Sequence, residues 1–316
     1  MKHKLGEAKT ALGAVSSIEA VIATSEYELL TESAGLVDRS ERAKFLVRGG
    51  EAVDFLQGQV SNDVEALAPG SGCYGTILNH KGKLRTDLRI LRGEDWLWID
   101  TEAIGHAVIR HTLATYSLGR DVSFEDLTES RAILSLIGPE VRDHLDAAPP
   151  PEEHAFVEGE HGLYVATDLG VDVIGEPGLE LDVEPVSEEV AECRRIEVGR
   201  PRLGLDMGSD TIPQEAGINE RAVSFTKGCY VGQETVARLH YKGKPNRHLR
   251  GLRLTEAAER GAELLLGERV VGRIGSSCVS PRFGPIALAL VRREASPGDT
   301  VLVSGAEAEV IELPFR

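Results

Sequence analysis

Cys229 and its neighbours carry the most pointed chemistry in the sequence. The segment Lys227-Gly-Cys-Tyr-Val-Gly-Gln-Glu234 sets a lone thiol between a loop, Thr226-Lys-Gly, and a helical run, Gln233 to Leu239. A cysteine just ahead of a helix N-terminus, with a lysine beside it, is placed to favour the reactive thiolate. Gly228 and Gly232 would let the backbone approach a ligand closely. The same pattern also suits an inert buried cysteine, the commoner fate of a lone one. Residues 227–250 hold six Lys or Arg and one Glu inside a chain of formal charge −16. Such a basic island is a candidate anion site or a solvated charged face. Two acids stand out elsewhere. Glu197, in Arg194-Arg-Ile-Glu-Val-Gly199, could accept paired hydrogen bonds from adjacent N–H groups, as a pterin offers; its spacing favours an ion pair with Arg194. Asp87, in Lys83-Leu-Arg-Thr-Asp-Leu-Arg89, lies among bases that should keep it ionised, or else forms a surface ion pair of little worth.

These residues sit on an α+β pattern. Tyr27–Ala34 reads as a short helix, Ala43–Val47 as a strand, and Ala52 to Leu56 as the start of a helix after Gly49-Gly50. A meander follows: strands at Tyr74–Leu78, Leu84–Leu91 and Trp96–Ile99, joined by the turns Asn79-His-Lys-Gly-Lys83 and Arg92-Gly-Glu-Asp95. Residues 102–117 are helical in pattern, and Val122–Phe124 is a short strand. A second block opens with a strand at Ala132–Ile137 and a helix begun by Pro139. Strands at about 163–167, 171–174 and 179–182 precede a helix at Val186–Glu197. Residues 250–316 change texture to short strands with Gly and Pro turns, a separate β-domain. The predicted division is a lead-in at 1–22, an N-terminal lobe at 23–130, a second lobe at 131–249 and a C-terminal β-domain at 250–316.

The 316 residues are enough for two or three domains. The acidic balance argues against general nucleic-acid binding and against an anionic membrane surface. Cys73, Cys193, Cys229 and Cys278 are far apart, with no CxxC pair, which argues against a disulfide framework or a contiguous zinc site and fits a reducing compartment such as the cytoplasm. Glu7 and Glu19 interrupt the N-terminal apolar stretch, so no signal peptide is expected, and no run reaches the ~18 apolar residues of a membrane span.

Ser224-Phe-Thr-Lys-Gly-Cys-Tyr-Val-Gly-Gln-Glu-Thr-Val-Ala-Arg238 resembles the signature of the YgfZ family, relatives of the glycine-cleavage T-protein. Other segments agree in order: Phe55-Leu-Gln-Gly-Gln-Val-Ser-Asn-Asp63, Asn79-His-Lys-Gly-Lys83, Arg195-Ile-Glu-Val-Gly-Arg-Pro201, Ile212-Pro-Gln-Glu215 and Gly275-Ser-Ser-Cys-Val-Ser-Pro281. The resemblance implies a three-lobed fold with tetrahydrofolate in a central channel and a barrel-like C-terminal domain. It implies folate contacts from Tyr74, Asp87, Asp100, Glu197, Tyr230, Gln233, Glu234 and Arg238, with Cys229 a reactive thiol assisted by Lys227. It further implies work on the assembly or repair of iron–sulfur proteins, which would be the partners. One cysteine cannot supply the usual four thiolates of a stable cluster, so no permanently bound metal is expected.

One departure bears on activity. T-proteins carry two adjacent acids on the strand after the hairpin turn, the first taken as catalytic. Aligned from Asn79, the first falls on Thr86 and the second on Asp87, and strand neighbours face opposite ways. That argues against aminomethyl transfer and for a folate-binding accessory role. The alternative is a one-carbon transferase or demethylase in which Asp87 or Asp100 acts near the folate nitrogen.

Overall fold

The computed structural model describes residues 24–316, so the expected lead-in at 1–22 lies outside the described residues. In chain order the elements are α1 (Thr24–Glu32), β1 (Gly35–Asp38), β2 (Ala43–Arg48), α2 (Ala52–Gln59), β3 (Ser71–Leu78), β4 (Leu84–Arg92), β5 (Trp96–Thr101), α3 (His106–Tyr116), β6 (Ser123–Asp126) and β7 (Ala132–Ile137). Then come β8 (Phe156–Gly159), β9 (Gly162–Ala166), β10 (Gly170–Gly175), α4 (Glu188–Glu197), α5 (Asn219–Ala222) and α6 (Gln233–Lys242). Strands β11 (Arg247–Leu254), β12 (Glu263–Leu266), β13 (Arg269–Ser280), β14 (Gly284–Arg292), β15 (Thr300–Val303) and β16 (Ala306–Ile311) complete the chain.

Two five-stranded sheets form the centre, ordered β3-β4-β5-β2-β6 and β1-β7-β10-β9-β8. Each strand has two faces because successive side chains alternate. On the first sheet, Leu88, Ile90, Leu97 and Ile99 point outward to Phe55 and Leu56 of α2 and Ile109 and Leu113 of α3. The opposite face carries Leu91 and Trp98, which meet Ile133, Val165 and Ile174 of the second sheet. The sheets thus share a dry seam at one end. Farther along the same faces the residues turn polar, and there the cavity lies.

The second sheet takes β1 from ahead of the first sheet: β1 pairs antiparallel with β7, Gly35 opposite Ile137 and Asp38 opposite Leu134. The whole first sheet is therefore nested between two neighbouring strands of the second. α1 and α4 cover one edge through Tyr27, Leu30, Val190 and Ala191. The C-terminal strands close into a six-stranded barrel, β11-β14-β13-β12-β15-β16. Its interior is small and branched, with Leu252, Val271, Ala287, Ala289 and Val310. It docks on α4 through Ile196, Leu249, Ile286, Leu288 and Phe315.

Two local expectations are corrected, and one strand was missed. Residues 179–182 form no strand; Leu179 and Leu181 are apolar because they pack on the outer face of the second sheet with Leu134, Leu136 and Val173. Pro139 introduces only one 3-10 turn, Val141–His144, in which Val141 alone is buried. The edge strand β8 was not anticipated; its four residues are too few to show an alternating pattern.

Candidate functional site

The polar faces of the two sheets enclose a cavity of about 190 Å³. Tyr74, Asp87 and Arg89 enter it from β3 and β4, and Ser135 and Asp172 from β7 and β10. Arg39, Arg42, Glu153, His154, Asp168, Arg195, Arg200 and Arg221 complete the wall.

Asp87 is 8% exposed. The Tyr74 hydroxyl donates to its Oδ2 at 2.7 Å, and Oδ1 has no partner among the described residues. Burial pushes the carboxyl above its ordinary range; the Tyr74 bond and the Arg42 charge only partly oppose it. Desolvation thus outweighs the opposing contacts in setting the direction of the shift. Burial likewise pushes the Tyr74 phenol well up, and Arg221 lies over its ring with the guanidinium carbon 5.0 Å from the centroid.

Arg89, two residues on and so on the same face, is held rigidly. Its Nε donates to Asp100 at 2.7 Å and its Nη1 to Asp172 at 2.6 Å, while Nη2 is buried without a partner. Asp172 is oriented in turn by the Ser135 hydroxyl at 2.6 Å. Asp100 is fully buried and fully used. Its Oδ1 accepts from Arg42 Nε and Nη2 at 3.1 and 2.8 Å, and its Oδ2 from Arg89 and from Trp98 Nε1 at 3.0 Å. Burial alone would raise its pKa, but Arg89 and Arg42 overcome that and hold it at about 2. Asp100, expected as a folate contact, therefore has no lone pair to offer; it sets the two arginines.

Thr86 faces the other way. Its hydroxyl meets Thr101 at 3.0 Å, and a Cβ on Gly105 would come within 2.3 Å of it. A carboxylate at position 86 would point into that packed layer below α3. The cavity-facing position is 87, and it holds the acid.

Other expected site residues lie elsewhere. Glu197 is 2% exposed, and its Oε1 accepts from Tyr27 at 2.8 Å, Ser280 at 2.6 Å and Cys193 at 3.7 Å. Arg194 takes its Oε2. The carboxylate joins α1, α4 and the barrel and is closed to a pterin; the ion pair with Arg194 is present. Lys227 is buried with its ammonium donating to the carbonyls of Gln57, Val60 and Asn62 at 2.7, 2.8 and 2.7 Å. Burial lowers its pKa to about 8. All three protons are spent on the end of α2, so Lys227 is not the thiol's partner.

Cys229 is exposed in the loop before α6 and does not line the cavity. Tyr230 is buried with Leu78, Leu84 and Val236, beneath the β3–β4 hairpin rather than in the cavity. Gln233, Glu234 and Arg238 start and flank α6, with Glu234 and Arg238 exposed. This segment clasps the hairpin turn: Gly232 has φ of 86°, and a Cβ there would meet the Asn79 carbonyl at 2.5 Å. The glycine serves packing against the hairpin.

Two family profiles match the chain: the GCVT N-terminal domain over residues 15–169 and the glycine cleavage T-protein C-terminal barrel domain over residues 247–315. The chain thus carries both domains of the glycine cleavage T-protein family, arranged in a T-protein-like fold. Aminomethyltransferases of Nostoc sp. and Thermotoga petrophila are 27% and 29% identical to it, over 85% and 92% of this chain and 79% and 88% of theirs. An uncharacterised protein of Haemophilus influenzae is 29% identical over 69% of this chain and 74% of its own length. The glycine cleavage system aminomethyltransferase T from Bartonella henselae shares the T-protein fold, with a TM-score of 0.82 at 24% identity, covering 92% of this chain and 89% of that one.

Sequence reasoning missed Arg89 and His154 within this T-protein fold. Arg89 had a usable signal, its i+2 spacing from Asp87 on a strand. His154 had none, since it lies in an irregular loop.

Proposed function

We propose that the central cavity holds the ring system of a reduced folate and that Asp87 serves one-carbon chemistry there. The observation that carries this reading is the pair of unpartnered groups, Asp87 Oδ1 and Arg89 Nη2, fixed side by side on one strand face lining the cavity. Leaving buried polar atoms unpaired costs about 1–3 kcal/mol each, so a ligand with matching N–H and acceptor groups fits them. A cavity of about 190 Å³ is below the roughly 300–1,000 Å³ that take whole drug-sized ligands, so a ring would sit inside and a longer tail outside.

A reduced folate supplies ring nitrogens that accept or release a one-carbon unit. The protein's own contribution is local. Tyr74 fixes Oδ2 of Asp87 and leaves Oδ1 as the atom that holds or passes a proton. Burial lets that carboxyl keep its proton to a higher pH than a free aspartate, the direction that favours a general acid. Arg89, clamped by Asp100 and Asp172, presents its unpartnered Nη2 amino group in a fixed direction. The apolar seam behind the cavity excludes water from that end.

The test is incubation with tetrahydrofolate and an aminomethyl or N-methyl donor, following formation of methylenetetrahydrofolate. Turnover should survive Cys229→Ser and fall at least about 100-fold in Asp87→Asn. Absence of folate binding by calorimetry would overturn the reading.

A second reading, a folate-binding accessory protein for iron–sulfur assembly or repair, is favoured by the exposure of the Cys229 thiol in the loop before α6. Folate binding without turnover, together with loss of iron–sulfur enzyme activity in cells carrying Cys229→Ser, would select it.

A further inference from the structure

His154 combines a costly backbone with an unsatisfied side chain inside the cavity. Its φ is 70°, and among the described residues only one other non-glycine residue, Ser304, has a positive φ. That region is unfavourable for any residue with a Cβ and persists only where surroundings enforce it. Here they do. The His154 N–H donates to the Ala166 carbonyl at 2.8 Å, and its own carbonyl lies against β3, where a Cβ on Gly72 would come within 2.9 Å. The side chain is 11% exposed and lines the cavity with Asp87 and Arg89. Neither Nδ1 nor Nε2 has a hydrogen-bond partner among the described residues. Glu153 Oε1 lies 3.6 Å from Nε2, too far for a hydrogen bond, and Glu153 is already paired with Arg221. Burial, then the Arg89 charge, pushes the imidazole pKa down to about 4; Arg221 adds to this, and Glu153 and Asp100 oppose it. At neutral pH the ring is uncharged, with one N–H and one lone pair to offer.

An anionic part of a ligand would be served by the arginines around the cavity, which a neutral imidazole cannot match. We propose that His154 is a specificity contact that hydrogen-bonds the uncharged edge of the bound heteroaromatic ring, selecting the reduced pteridine itself rather than its carboxylate tail. This rests on the folate reading above. Asp87 and Arg89 would hold one side of the ring and His154 another, so three groups left unpaired by the fold are satisfied by one ligand.

The probes are 6-methyltetrahydropterin, a bare ring, and 5-formyltetrahydrofolate with one or three glutamates, titrated by calorimetry. Wild-type protein that binds none of them defeats the folate reading itself. Given wild-type binding, His154→Phe should weaken all three by a similar factor of about ten, and His154→Gln, which keeps a donor and an acceptor, should stay within about threefold. Unchanged affinity of His154→Phe for the bare ring overturns the proposal, as does a loss confined to the glutamylated probes. Should His154→Phe not fold, the ring nitrogens of wild-type His154, followed by NMR, should shift on adding 6-methyltetrahydropterin; unmoved signals overturn it equally.

Discussion

Asp87 and Asp100 stand on the same sheet face with opposite electrostatics, and their pH behaviour should separate them. Asp87 has its pKa raised from an ordinary 3.8, so the folded protein binds that proton more tightly than the unfolded chain. Stability is then lost as pH rises from about 4 through the raised value. Asp87→Asn removes that loss. Its melting temperature should exceed wild type at pH 7 by roughly 2 °C per kcal/mol relieved, with the gap closing toward pH 4. Thermal melts across pH 4–8 check this; a lower melting point for Asp87→Asn at pH 7 would mean that the ionised form is the stabilising one. Asp100, held at about 2, contributes stability that is present above pH 4 and lost as pH falls toward 2. Asp100→Asn would remove the buried anion shared by Arg42 and Arg89, leaving them only Glu102 and Asp172, and should cost about 3–5 kcal/mol in denaturant unfolding. The sequence pointed to both acids but not to their division of labour. Adjacent bases around Asp87 suggested ionisation, whereas burial, which depends on a second sheet some 50 residues away in the chain, decides the sign.

The hairpin of β3 and β4 and the segment that grips it form one unit at the element scale. Lys227 caps the end of α2 through three carbonyls and has a cation–π contact with Tyr230, its ammonium 5.3 Å from the ring centroid. Lys227→Met should therefore loosen residues 57–64 and cost about 2–3 kcal/mol, from carbonyls left unpaired. Hydrogen exchange should rise at the end of α2 and in the loop after it. If instead only the alkylation rate of Cys229 changes, the lysine acts on the thiol after all. The meander was legible because its turns, Asn79-His-Lys-Gly-Lys83 and Arg92-Gly-Glu-Asp95, interrupt clear apolar runs. Helix α6 was legible from its run after Gly232. The direction of Lys227 was not, because a lysine side chain reaches as easily toward a distant carbonyl as toward its neighbour. The covering stretch at 179–182 was misread because apolar residues that pack on a sheet from outside look like residues within it.

Over the whole molecule, Glu197 is the tie between parts. Its carboxylate serves Tyr27 of α1, Arg194 and Cys193 of α4 and Ser280 of the barrel, and its carbonyl accepts from Phe315 near the C-terminus at 2.9 Å. Glu197→Gln should lower unfolding stability by about 2 kcal/mol while leaving folate affinity within twofold. Denaturant unfolding and calorimetry on one preparation check both; an affinity loss beyond tenfold in a folded variant would place Glu197 at the ligand. The barrel was visible from composition, since residues 250–316 read as short strands and turns throughout. The nesting of one sheet inside the other was not, because β1 and β7 are joined by no local pattern. That nesting orders events during synthesis. Residues 35–38 leave the ribosome roughly a hundred residues before β7, their partner, a delay on the order of 5–20 s. In that interval the first sheet can close on α2 and α3 while β1 waits with an open edge. The ligand cavity, which needs both sheets, cannot exist until the second sheet has been made, and a chain halted before residue 132 would carry Asp87 with no second sheet facing it.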